Sequence, residues 1–339
     1  MQLKILILCD GDEYSLGWSY KRGFEAAGCQ VDIINPGALL NMNPLWRNRI
    51  SRRLLERQLI EAFNRHWLPR LLEREPPNAI WVGKGAWATP WLWDSYKARR
   101  PDTKLVCYNA DDPITTYSRG GNRPWVTESI PYFDLFCTYN ANLIEPLRRA
   151  GAKDVLRLPF AWDPAIHPMQ GADAYEHDLV FVGNGDAYRE EWLTEILRYP
   201  EARNWRVAIY GKWHKVADRM LAARINSRQV MGAEMAGVLA RSKLAINILR
   251  RQNEGSHNMR TFETPGCGGL MTSQFSDEQN AIFPDAEAAV YFTTPEEACA
   301  RLEEAIRDDE RREIMRKEAR AIVRKHTYRE RAANLLEHL

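Results

Sequence analysis

Asp178-Leu179-Val180-Phe181-Val182-Gly183-Asn184-Gly185-Asp186-Ala187-Tyr188-Arg189 decides the fold. After Asp178 the run is apolar without interruption to Val182, as a strand buried on both faces of a parallel sheet requires. It then turns on Gly183, Asn184 and Gly185 and enters a helical pattern from Glu190 to Arg198. Glycines directly after a strand let the backbone approach a phosphate, and the helix start adds amide donors and a positive dipole end. Arg189 stands where a guanidinium could add a charge-assisted bond. The full dinucleotide fingerprint is absent, because the run continues Asp186-Ala187-Tyr188. Many strand-to-helix turns use glycine for geometry alone, so the glycines by themselves are a weak signal, and a solvated helix surface is an equally good reading of Arg189.

Working outward, the same alternation continues on the C-terminal side. Trp205 to Tyr210, Lys243 to Leu249, Gly269 to Ser273 and Ala289 to Phe292 read as strands. Helical patterns fall at Ala233 to Ala240, Pro295 to Arg307 and Arg311 to Lys325. Upstream, Pro159, Pro164, Pro168 and Gly171 interrupt the pattern and read as a linker. Before them lies a second alternating set, with strands at Leu3 to Leu8, Val31 to Ile34, Ala79 to Val82, Lys104 to Tyr108 and Leu135 to Thr138. Strands alternating with helices predict parallel sheets with right-handed crossovers. The expected fold class is therefore α/β with two Rossmann-like domains, 1–163 and 172–322, and a terminal segment, 323–339. Ligands of such sheets bind beyond the C-terminal strand ends, so a cleft between the domains is expected.

A chain of 339 residues supports two cores, and its 45% hydrophobic and 27% charged residues are ordinary for a globular protein. A formal net charge of +2 gives no reason to expect a nucleic-acid partner. The apolar start is short and meets Asp10-Gly11-Asp12-Glu13 at once, unlike a signal peptide. No apolar run approaches the ~20 residues that span a bilayer. The six scattered cysteines have no zinc spacing and read as reduced core residues. These features lead to the expectation of a cytoplasmic protein. One stretch, 46–74, carries Arg47, Arg49, Arg52, Arg53, Arg57, Arg65, Arg70 and Arg74 among apolar residues, with Glu56, Glu61 and Glu73 between them. It reads as a solvated surface helix, with peripheral contact to a membrane or anionic acceptor as the second reading.

Three further segments hold residues suited to chemistry. Tyr210-Gly211-Lys212-Trp213 follows a strand, with Trp213 able to line a base pocket and Lys212 to face phosphate. Glu254 to Leu270 places His257, Asn258, Arg260 and Glu263 between two strands. A guanidinium binds a diphosphate with a fixed fork, and a carboxylate suits the paired hydroxyls of a ribose. Arg260 and Glu263 are also three apart, a spacing that simply pairs on a helix. Asp111 and Asp112 follow a strand of the first half, where a carboxylate can act as general base; an Asp-Pro turn is the equal alternative. Lys84, in Gly83-Lys84-Gly85, is a weaker candidate for neutralising leaving-group charge.

The run Asn258-Met259-Arg260-Thr261-Phe262-Glu263-Thr264-Pro265-Gly266-Cys267-Gly268-Gly269 resembles the nucleotide-binding signature of glycosyltransferases of GT-B architecture, nearest the CgeB-like, group 1 branch. Phe181-Val182-Gly183 with Arg189, Tyr210-Gly211-Lys212-Trp213, Ser242 to Asn247, Asn109 to Pro113 and His326-Thr327-Tyr328 with Arg331 agree in order. The resemblance implies sugar transfer from a nucleotide-sugar donor to a glycan, lipid-linked or protein acceptor, as in bacterial surface glycan assembly. It places Arg260 near the diphosphate and Glu263 on the ribose, and has the closing helix cross back onto the first domain. His257 and Asp111 or Asp112 are then the catalytic candidates. Gly183, Asn184, Gly185, Arg189, Gly211, Lys212, Trp213, Asn258, Arg260 and Glu263 are the donor-binding ones.

One departure stands out. Related retaining enzymes carry an acid eight positions before the second glutamate, and here Gly255 occupies that position with Glu254 beside it. Asp10-Gly11-Asp12 spells a metal motif of the other large glycosyltransferase fold, but follows only a first strand. No metal and no cofactor are therefore expected. A non-catalytic binding protein of envelope assembly and a nucleotide-sugar epimerase are the alternatives, with a nicotinamide-dependent dehydrogenase last.

Overall fold

Residue-by-residue description of the computed structural model covers 2–115 and 123–339. Lys4–Leu8 forms β1, and its apolar residues Ile5 to Leu8 are buried because neighbours cover it on both sides. It pairs in parallel with β2 (Gln30–Ile34) and β3 (Ala79–Gly83), so that Ile7 faces Ile33 on one side and Trp81 on the other. Then follow β4 (Lys104–Asn109), β5 (Leu135–Thr138) and β6 (Val155–Arg157), giving the parallel order β2-β1-β3-β4-β5-β6. Burial of both faces explains why these strands lack polar alternation.

The second sheet comprises β7 (His177–Val182), β8 (Val207–Tyr210), β9 (Ile225–Asn226), β10 (Ser242–Asn247), β11 (Met271–Gln274) and β12 (Val290–Phe292). Its parallel order is β12-β11-β10-β7-β8-β9. The helices Ala187–Arg198 and Pro295–Arg307 cover it, burying Leu193, Ile196, Leu197, Ala298 and Leu302. The strands β6 and β9 escape a reading of the sequence. They are edge strands of three and two residues, too short to show a period.

The chain divides into two compact units: residues through Pro159 together with Tyr328–Leu339, and Phe160–Thr327. The divisions fall a few residues from the expected 163 and 323, and the second unit begins at Phe160, well before 172. Phe160, Ala161 and Trp162 are buried in the second unit, where the Trp162 N–H donates to the His326 carbonyl at 2.9 Å. The terminal helix Tyr328–Leu336 belongs to the first unit. There Arg331 Nε donates to the Pro159 carbonyl at 3.0 Å, and Tyr328 meets Tyr20 edge-on at 5.2 Å. Burial lowers the Arg331 pKa.

The expected helix over 46–74 is two helices. Pro44–Arg47 ends at Asn48, whose side chain accepts from Ile50 and Ser51 N–H and starts Arg49–Leu72 afresh. Leu55 leaves helical geometry at φ −124°, ψ 23°. Beyond it Leu59, Ile60, Trp67, Leu68 and Leu71 are buried; before it nothing is. Among the described residues no helix is long and apolar enough to cross a membrane.

Candidate functional site

In the second unit the chain leaves β7 toward β8 on one side and returns through β10 toward β11 on the other. Loops after β7 and β10 therefore diverge, which is where open α/β sheets leave a crevice. The loop after β7 is laced to the loop after β8. Gly183 N–H donates to the Tyr210 carbonyl and Gly185 N–H to the Lys212 carbonyl, each at 2.9 Å. Asn184 Oδ1 accepts the Lys212 N–H at 3.0 Å. Gly211 sits at φ +140°, and a Cβ there would overlap the Gly183 carbonyl, so the crossing requires glycine. Trp213 lies over Gly185 and meets Phe181 edge-on at 5.8 Å. The Lys212 side chain is exposed.

These bonds change the expected use of the turn. The Gly183 and Gly185 amides hold the neighbouring loop instead of opening toward a phosphate. Asp186 caps the helix Ala187–Arg198 by accepting the Arg189 N–H at 3.0 Å. One of the helix's free donors is thereby already satisfied. Gly185 lets Trp213 lie close against the loop, and what is left at this strand end to meet an anion is side chains.

Those side chains are arginines. Arg189 is 9% exposed, and its Nε donates to the Ile248 carbonyl at 3.0 Å while Nη1 donates to the Asn184 carbonyl at 2.9 Å. Burial, with the charges of Arg250 and Arg260 adding to it, lowers its pKa to about 10. Arg260, at the start of the helix Arg260–Gly266, donates through Nε to the Val182 carbonyl at 3.0 Å and pairs through Nη1 with Glu263. Arg250 lies 3.4 Å from Asp186. Three guanidiniums thus meet two carboxylates at one strand-end crevice. Glu263 is 3% exposed, and His167 Nδ1 lies 3.8 Å from its second oxygen.

Asn258 and Asn247 exchange amide bonds at 2.8 and 3.2 Å, tying the segment after β10 to the strand end. His257 is completely buried. Its Nε2 accepts the Phe160 N–H at 3.2 Å, which leaves the proton on Nδ1, 2.8 Å from Glu278 Oε2. Phe160 and Phe262 meet the ring edge-on. Proton transfer to a ligand has no route through either nitrogen in this arrangement, and His257 serves to fix the segment that carries Asn258 and Arg260.

Beside the arginines opens a cavity of 180 Å³, which the sequence does not single out. Tyr188, Trp192, Arg251, Gln274, Phe275 and Phe292 are among its lining. Arg251 stands over the Tyr188 ring at 5.5 Å, and Gln274 Nε2 donates to the Tyr188 hydroxyl at 2.8 Å. Flat faces with a few fixed polar groups suit a planar heterocycle. The available signal was aromatic residues at or just past strand ends, as Phe292 and Phe275 are. Glu254 and Gly255 also line the cavity. Gly255 is at φ +73°, a conformation that disfavours glutamate.

In the first unit Lys84 Nζ and Asp111 Oδ2 form a half-exposed ion pair at 2.6 Å, joining the ends of β3 and β4. Lys84 itself adopts φ +61°. Asp112 is 5% exposed and accepts the N–H groups of Ile114 and Thr115 at 2.7 and 3.0 Å. It therefore builds the turn. Asp10 and Asp12 accept local N–H groups from Gly37 and Tyr14. Burial raises the Asp10 pKa. Among the described residues no three His, Cys, Asp or Glu side chains group as metal ligands.

A sequence family described as glycosyl transferase-like matches residues 189–337. No curated protein sequence matches the chain. Sucrose-phosphate synthase from Thermosynechococcus elongatus superposes with a TM-score of 0.71 at 12% identity, over 99% of this chain and 98% of that one. A trehalose-6-phosphate synthase superposes at 0.66 and 11% identity, over 98% of each chain. Anabaena HepE in complex with UDP and glucose gives 0.63 and 11% over the whole of both. The architecture is thus that of GT-B glycosyltransferases.

Proposed function

We propose that the protein is a nucleotide-sugar-dependent glycosyltransferase that binds its donor on the second unit. The observation that carries this reading is the convergence of Arg189, Arg250 and Arg260, against Asp186 and Glu263, at the β7/β10 strand ends. Guanidiniums gathered with less than their number of carboxylates repel one another, and an anionic ligand relieves that repulsion. A diphosphate would take the half-exposed forks of Arg260 and Arg250. Glu263 holds Arg260 in place, and Arg189 holds the loops together from below.

The adjoining cavity offers Tyr188, Phe275 and Gln274 to a nucleobase. The complex of HepE with UDP and glucose makes uridine the first base to try. Departure of the diphosphate would be stabilised by fixed guanidiniums aimed at the developing charge, a task these residues fulfil without a metal ion. Glu254, on the cavity wall, is the acid available to a donor sugar. Asp111 and its Lys84 partner are the candidate groups for an acceptor hydroxyl from a glycan, lipid-linked or protein substrate.

A thermal-shift panel of nucleoside diphosphates and nucleotide-sugars tests the reading. A hundredfold excess of ligand over its dissociation constant stabilises the fold by about 2.7 kcal/mol. The expected result is a shift with one diphosphate that survives chelator and is clearly reduced in Arg260→Ala. No shift with any nucleotide removes the donor-site assignment. Gly255 in place of a second acid favours one rival, a binding protein without turnover. Donor hydrolysis by the wild type excludes that rival.

A further inference from the structure

The segment before the kink of the long helix presents an unusual surface. Six of the thirteen exposed large apolar side chains among the described residues, Leu39, Met42, Leu45, Ile50, Leu54 and Leu55, fall within seventeen consecutive positions. Met42, Ile50 and Leu54 are 76%, 72% and 72% exposed. From Asn41 to Gln58 no residue is buried, although 44–47 and 49–54 are helical. A helix held in place by packing normally turns such residues inward. Here the packing begins only at Leu59.

Charge accompanies this apolar strip. Arg47, Arg49, Arg52 and Arg53 are exposed on it, and none forms an ion pair among the described residues. Positions 39–55 hold no aspartate or glutamate. Ile50 and Leu54 lie one turn apart on one face, with Arg49 and Arg53 repeating at the same spacing beside them. Arg52 stacks on Trp46 at 5.8 Å, which keeps a guanidinium next to an indole at the same level. A cavity of 320 Å³, walled by Leu39, Met42, Phe63 and Trp67, continues the apolar surface inward.

We infer that residues 39–55 dock the protein on an anionic lipid bilayer surface. Apolar side chains flanked by arginines match the boundary between acyl chains and negatively charged headgroups. A second copy of the chain fits poorly. A two-fold contact would bring the same arginines of both copies together, with no acid in the segment to answer them. The docking rests on the first unit alone and is independent of the donor-site reading.

Flotation of the full chain with vesicles tests the inference. Vesicles of phosphatidylcholine containing phosphatidylglycerol are compared with phosphatidylcholine alone. Binding is expected only with the anionic vesicles and is expected to weaken as salt rises. The double variant Arg52→Glu, Arg53→Glu should lower it by more than about tenfold. Ile50→Ser with Leu54→Ser should lower it too, and salt should then release the remainder more readily. Both pairs are exposed, so melting temperature and nucleotide shift should stay at wild-type values. Equal binding of wild type and variants would overturn the inference. So would a concentration-dependent dimer by light scattering that the serine variants dissolve, in the absence of vesicle binding.

Discussion

Arg260 donates through Nε to the carbonyl of Val182 at 3.0 Å, so the guanidinium proposed to meet a diphosphate is anchored to the last peptide of β7. Its remaining donors are held in a fixed direction by Glu263. A guanidinium anchored twice loses little freedom when it binds, which is the condition for tight recognition.

Arg260→Ala should raise the dissociation constant of the preferred nucleoside diphosphate by about ten- to a hundredfold, the worth of a charged hydrogen bond of ~1.5–3 kcal/mol. Arg260→Lys should recover only part of this, because an ammonium cannot serve Val182, Glu263 and ligand together. Calorimetric titration decides it. Unaltered affinity in the alanine variant would remove Arg260 from the site.

His257→Ala should act on the fold. It removes a buried ring bonded to Phe160 and Glu278 and leaves that carboxylate with fewer partners. Urea unfolding is expected to show a loss of about 2–4 kcal/mol. The pH profile of turnover should keep its shape. Wild-type stability with abolished turnover would make His257 a catalytic residue.

Glu254→Gln should lower turnover with little effect on nucleotide affinity, as Glu254 lines the cavity. Gly255→Glu should not raise turnover. At φ +73° a side chain costs about 1–2 kcal/mol. A gain in rate from Gly255→Glu would show that the missing acid limits the enzyme.

Chelator should leave turnover unchanged if the arginines alone meet the diphosphate. The measurement is initial rate with and without EDTA, followed by addition of magnesium or manganese. Loss and recovery would require a metal and a revised assignment of Asp10 or Asp12.

Stability should fall as pH rises above the ordinary thiol range. Burial, helped by Asp10, raises the Cys9 pKa from 9.0 to about 12. Between those values the unfolded thiol has released its proton and the folded one has not, so higher pH favours unfolding. One such group contributes a slope of at most about 1.4 kcal/mol per pH unit. Cys9→Ala should reduce the measured slope between the two values; an unchanged slope would show that other buried thiols and tyrosines account for it.

Much of the fold was legible because strands such as Leu6 to Leu8 and Leu179 to Val182 are apolar on both faces, and glycine turns follow them. The edge strands β6 and β9 were not, since two or three residues carry no pattern. Of the site, Arg260 and Glu263 were legible as a pair of types at a helical spacing. The cavity lined by Tyr188, Phe275 and Phe292 was not, because its walls come from three separate strand ends.

The sequence by itself determined the two alternating sets and the break near Pro159, and it offered residue types suited to an anion or a ribose. Periodicity and turn chemistry are local properties, and neighbours along the chain suffice to set them. Only the tertiary structure decided how each polar group is used. It committed the Gly183 and Gly185 amides to the Tyr210–Lys212 loop, buried His257 against Glu278, and left Ile50 and Leu54 facing outward. Whether a donor or an apolar side chain is satisfied depends on what lies beside it in space, and residues far away in sequence supply that.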